Sequence, residues 1–75
     1  MKHYLIKKTI IFNGTERINY HGKCSISDNL ERSWNRAFYD YNECCNKLDE
    51  IMYYDQQYYE KGFDFKYEII EKEFN

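Results

Sequence analysis

Residues 3–24 read HYLIKKTIIFNGTERINYHGKC, and the fold turns on this stretch. Residues 3–12 are rich in β-branched and aromatic types and read as a strand. Asn13-Gly14 is a strong hairpin signal, because both residues tolerate the positive φ that a tight turn needs. Residues 16–24 then alternate as a second strand, with Ile18, Tyr20 and Cys24 on one face and Arg17, Asn19, His21 and Lys23 on the other. A two-residue turn would pair Phe12 with Thr15, so paired numbers would sum to 27 and the even-numbered apolar faces of the two strands would disagree. The apolar pattern instead predicts a sum of 28, with Ile10 facing Ile18 and Lys8 facing Tyr20, through a three- or five-residue connection or a bulge. Gly22 marks a bend or a close backbone approach.

Downstream the period changes. Ser27 or Asp28 suits a helix N-cap, and Asp28 with Glu31 has the capping-box form. Leu30, Trp34, Ala37, Phe38, Tyr41, Cys45, Leu48 and Met52 then recur at spacings of three and four, forming one apolar stripe. The spacing predicts one amphipathic helix over about residues 28–60, closed by Gly62. Such a helix would be about 50 Å long, against about 33 Å for a ten-residue strand. Asp55 also interrupts the stripe, so the helix is expected to kink or end near residues 53–55. Residues 63–74 alternate again, with Phe63, Phe65, Tyr67 and Ile69 on one face, and give a third strand. The first strand carries apolar residues on both faces and suits the centre. The expected fold class is α+β: a two-layer strand-strand-helix-strand sandwich, with a three-stranded antiparallel sheet and one long helix on one face.

At 75 residues the chain has room for a single domain, 1–75, and none for a two-domain enzyme or a dinucleotide-binding fold. Hydrophobic residues at 43% and charged residues at 32% fit a folded chain rather than a disordered one. No apolar run is long enough to span a bilayer, and Lys7 and Lys8 break up the N-terminal stretch, so neither a membrane anchor nor a signal peptide is expected. Cys24, Cys44 and Cys45 are odd in number and two are adjacent, which favours free thiols in a reducing cytoplasm over a disulfide scaffold.

The charge is polarised. Residues 1–25 carry five bases and one acid, whereas residues 26–75 carry six bases and twelve acids. The acidic helix either serves as a solvated face or complements a basic surface on another macromolecule. Tyr53, Tyr54 and Tyr58, interleaved with Glu43, Glu50 and Asp55, have the composition of a protein-binding surface. A second candidate surface is the sheet face away from the helix. There Leu5, Ile11, Ile70 and Phe74 would gather on an open layer suited to a homodimer.

Other chemistry is sparse. His21 and Cys24 have zinc half-site spacing, but adjacent Cys44 and Cys45 diverge on a helix, so small buried thiols are the simpler reading and no metal or cofactor is expected. No phosphate loop, HExxH or CxxC is present, and the short loops leave little room for a pocket, so the chain reads as non-enzymatic. The rival class is an accessory nucleic-acid-binding protein. It would use Lys7, Arg17, His21 and Lys23 as a phosphate-contacting strip on the outer face of the hairpin. Against it stand the lack of stacking aromatics on that face and the acidic helix.

The layout, with KKTIIFNG at 7–14 and YYEKGFDFKYEII at 58–70, resembles the small single-domain proteins of phages and mobile elements. It is similar to anti-CRISPR proteins and related counter-defence inhibitors. That resemblance implies an inhibitor that binds a host defence or nucleic-acid-binding complex in the host cytoplasm. It transfers no functional residue.

Overall fold

In the computed structural model, which describes residues 1–75, the hairpin opens the chain: β1 (Lys2–Phe12) and β2 (Thr15–His21). Strand β3 (Ile26–Ser27), helix α1 (Leu30–Ser33) with a 3-10 turn over Trp34–Arg36, helix α2 (Tyr41–Asp55) with a 3-10 extension over Gln56–Lys61, and strand β4 (Asp64–Glu73) follow. The sheet order is β3-β2-β1-β4, antiparallel throughout, with β1 central. The class is α+β as the alternation implied, but a short fourth strand pairs with β2 at one edge.

The turn decides the hairpin register. Asn13 (φ 51°) and Gly14 (φ 77°) both adopt the left-handed conformation that a two-residue hairpin turn requires. Phe12 therefore pairs with Thr15, Thr9 with Ile18 and Lys7 with Tyr20, not in the register that would match the apolar faces. The mismatch has a use. Residues opposite one another share a face, so Ile18 and Tyr20 join Leu5 and Ile11 on one side of the sheet. Ile6, Ile10, Phe65, Tyr67 and Ile69 line the other.

Each side has its own helical cover. Helix α2 packs Cys44 and Ile51 on Ile6 and Phe38, with Tyr4, Leu48, Tyr67 and Ile69 around them. On the opposite side Trp34 lies edge-on to Phe74, and Lys72 Nζ sits 5.9 Å from the indole. Both Leu5 and Ile6, neighbours on opposite faces of β1, are 0% exposed. The single helix expected over residues 28–60 is thus two helical segments on two faces, and Trp34, expected in the stripe facing the one helix layer, is half-buried on the far side.

Residues 37–40 make the crossing. Strand β2 leaves the sheet after His21, and Phe38 takes the place beside β1 that β2 vacates. Phe38 N–H donates to the Tyr4 carbonyl at 2.9 Å and the Phe38 carbonyl accepts from Tyr4 N–H at 2.8 Å. Gly22 makes room, because a Cβ there would stand 2.2 Å from the Arg36 carbonyl oxygen, which already accepts from Lys23 N–H at 2.8 Å. The second strand therefore stops at His21 rather than continuing to Cys24.

Local caps restart the helices. Asn29, rather than Ser27 or Asp28, caps α1 by accepting from Arg32 N–H at 3.1 Å. Asp40 caps α2 by accepting from Asn42 N–H at 3.1 Å. With a new start, the inward stripe of α2 runs through Cys44, Leu48, Ile51 and Asp55, rotated from the expected phase through Cys45 and Met52. Gly62, at φ 92°, closes the 3-10 extension in the left-handed conformation.

Candidate protein-interaction surface

Helix α2 ends over the middle of β1, and a buried ion pair marks the place. Lys8 Nζ lies 2.7 Å from Asp55 Oδ2, with both side chains almost wholly out of solvent. The Tyr67 hydroxyl donates to the same oxygen at 2.7 Å, and the Lys8 ammonium stands 4.9 Å from the centre of the Phe65 ring. One helix and two strands thus meet at a single carboxylate. Burial first, and the Asp55 carboxylate second, raise the pKa of the Tyr67 hydroxyl and keep it in its neutral, donating form. His21, buried nearby, is pushed below the ordinary imidazole value by burial and then by the Lys8 charge, with Asp55 partly opposing.

Lys8, Asp55 and His21 line an open groove of about 530 Å³, whose walls also include Ile51, Ile26, Tyr53 and Tyr54. Tyr53 is 79% exposed and Tyr54 61%, and Ile26 is also largely exposed across the groove. Lys47 and Glu50 stand 3.7 Å apart on the same rim. A smaller hollow of about 250 Å³ lies between Tyr54, Tyr58, Phe63 and Phe65. The Tyr54 and Tyr58 hydroxyls are 3.5 Å apart, and Tyr58 packs edge-on to Phe63. The tyrosines thus stand on an ordered aromatic base.

The expected partner-binding residues divide. Glu50, Tyr53 and Tyr54 are exposed together, and Tyr58 is half-buried beside them. Glu43 faces Lys23 at 3.6 Å, away from the groove. Asp55 is corrected outright: at 3% exposure it is structural, because the helix stripe that it interrupts lies over Lys8. Ile26 and His21 contribute to the groove without any local pattern to announce them; only the β2–β3 pairing, His21 with Ile26, brings them there.

The candidate dimer face is corrected too. Leu5 is fully buried, and Phe74 stacks on His3 and meets Trp34, because the α1 segment covers that part of the sheet. Ile11 and Ile70 remain half-buried. The basic strip also breaks up. Lys7 and Arg17 fall on opposite faces, since Lys7 opposes Tyr20 and Arg17 opposes Ile10, and His21 is buried on the α2 side.

All three cysteines are free thiols, with Cys24 exposed, Cys45 half-buried and Cys44 buried. Burial pushes the Cys44 thiol up to about 11, so it stays protonated and unreactive at neutral pH. No group of three or more His, Cys, Asp or Glu side chains is placed to hold a metal ion. No helix is long and apolar enough to cross a membrane. No protein-family model, curated protein or solved structure matches the chain.

Proposed function

We propose that this protein is a non-enzymatic protein-binding module, a small phage-type inhibitor that docks on a larger host defence complex. The observation that carries the reading is the adjacent pair Tyr53 and Tyr54, exposed on the last turn of an α-helix at the rim of an apolar-walled groove. Tyrosine supplies large, rigid contact area at low entropic cost, and such anchors dominate interface energetics. Their scaffold is prepared for that task, since the Lys8–Asp55–Tyr67 junction pins the helix end immediately beneath them. Asp49, Glu50 and Glu60, the exposed acids along the end of α2 and its extension, favour a basic partner surface, of the kind that nucleic-acid-binding complexes present.

Affinity capture from host lysate with mass spectrometry tests the reading. The wild-type chain is expected to retain a protein. Tyr54→Ala or Tyr53→Ala is expected to speed its release tenfold or more, in keeping with an anchor that contributes about 2 kcal/mol. Glu50→Lys should mainly slow association and alter its salt dependence. Capture that none of the three substitutions changes overturns this surface as the binding face.

A further inference from the structure

Strand β4 is an edge, and it pairs with β1 alone. Its hydrogen-bonding phase can be followed residue by residue. Phe74 N–H donates to the Met1 carbonyl, so even-numbered residues of β4 point their backbone groups inward to β1. The odd-numbered residues point theirs outward; Phe65 N–H, for example, donates to the Asp64 carboxylate rather than to a strand. Tyr67, Ile69 and Glu71 therefore present outward N–H and C=O groups along a strand ten residues long.

We propose that a second copy of the chain adds to this edge, β4 against β4, antiparallel, with the two-fold axis passing through Tyr67. The residues themselves favour a second copy as the occupant. In this register each Lys66 opposes Glu68 of the other chain, each Phe65 opposes Ile69, and Tyr67 opposes itself. Every two-fold pair keeps like faces together, so the two α2 helices lie on one side of a continuous eight-stranded sheet, twice the four strands of one chain. Tyr67, Phe65 and Ile69 would exchange about four ladder hydrogen bonds while the Phe65 N–H stays on the Asp64 carboxylate, and about six once it turns to the partner strand; Lys66 and Glu68 would fall in the closer, non-hydrogen-bonded positions. Registers centred on residues 66, 68, 69 and 70 are worse, and one centred on 65 pairs Asp64 with Lys66 but leaves Glu68 opposite Gly62, outside the strand. An axis through residue 66 sets Lys66 against Lys66, one through 68 sets Glu68 against Glu68, and one through 69 sets Lys66 against Lys72. An axis through 70 pairs Glu68 with Lys72 but sets Ile69 against Glu71 and Tyr67 against Glu73. This edge is separate from the Tyr53–Tyr54 surface, and neither reading depends on the other.

Sedimentation equilibrium over roughly 1–500 μM tests the proposal. The wild-type chain is expected to show a monomer–dimer equilibrium. Lys66→Glu and Glu68→Lys should each weaken self-association about tenfold, because each reverses two cross-strand pairs per dimer. Mixed together, the two variants should associate about as well as wild type, since both pairs in the heterodimer are again opposite in charge. Glu68 also faces Lys7 within the chain, so the melting temperature of each variant is measured alongside. Amide exchange supplies a second readout. In dilute protein the outward Tyr67 and Ile69 amides should exchange faster than the inward Glu68 and Ile70 amides, and this alternation should fade as concentration rises. A wild-type chain that stays monomeric throughout, or a dimer indifferent to both charge reversals, overturns the proposal.

Discussion

The two ends of β1 have similar residues and different fates. At Leu5 and Ile6 the strand is covered on both faces, by the Trp34 segment on one and α2 on the other, and nothing is exposed. At the hairpin tip Phe12 and Ile18 are each 37% exposed, with Phe12 supported by stacking on Phe63. The molecule is 42 Å along its longest axis, whereas a fifteen-residue helix such as α2 spans only about 22 Å. Burial therefore follows the reach of the helical segments, not the hydrophobicity of the strand. Lys8 and Asp55 sit where that cover ends, and a buried charge is tolerable there because each neutralises the other.

Substitutions along the strand and its covers sharpen the contrast. The largest loss is expected at Phe38, which carries the crossing and is fully packed. Phe38→Ala should cost about 3–5 kcal/mol in denaturant unfolding, whereas Trp34→Ala, at a half-buried site, should cost clearly less. Equal costs at the two positions would mean that the Trp34 side of the sheet is as fully packed as the α2 side. Asp55→Ala leaves the Lys8 ammonium buried and unpaired and should cost about 3 kcal/mol, with Lys8→Met in the same chain recovering much of it. If the second substitution adds to the loss, the pair is not the junction described.

Gly22→Ala should cost about 1–3 kcal/mol, because the new methyl group meets a backbone carbonyl rather than a flexible side chain. A neutral result would show that the chain crossing lies further from β2. His21 gives a pH signature. Its imidazole is less basic folded than unfolded, so the unfolded chain takes up a proton first as pH falls through about 6.5. Stability should be complete above that pH, decline below it, and level off once the folded imidazole also titrates. His21→Asn should remove that part of the pH dependence. The smallest effect belongs to the tip, where Ile18→Thr should change stability by no more than about 0.5 kcal/mol. A loss of several kcal/mol there would erase the contrast between the two ends.

Much of the candidate surface was legible in the sequence, because Tyr53 and Tyr54 fall outside the apolar stripe whichever of the two helix phases is taken. Asp55 was legible as the end of the helix but not as a buried anion, since its partners, Lys8 and Tyr67, lie on two separate strands. Ile26 was not legible at all, being a two-residue strand beside His21.

The sequence by itself determined what adjacent residues can encode. The alternation of the three long strands, the tight Asn13-Gly14 turn, the amphipathic character of residues 41–55 and the stop at Gly62 rest on local backbone preference and short-range period. Only the tertiary structure decided that the helical stretch breaks at residues 37–40 and changes face. That choice depends on the hydrogen bonds between Tyr4 and Phe38 and on the carbonyl of Arg36 against Gly22, which join residues distant in sequence. The register shows the same division. The turn selected it locally, yet it is productive only because a second helical segment waits on the other face to cover the apolar residues that the turn sends there.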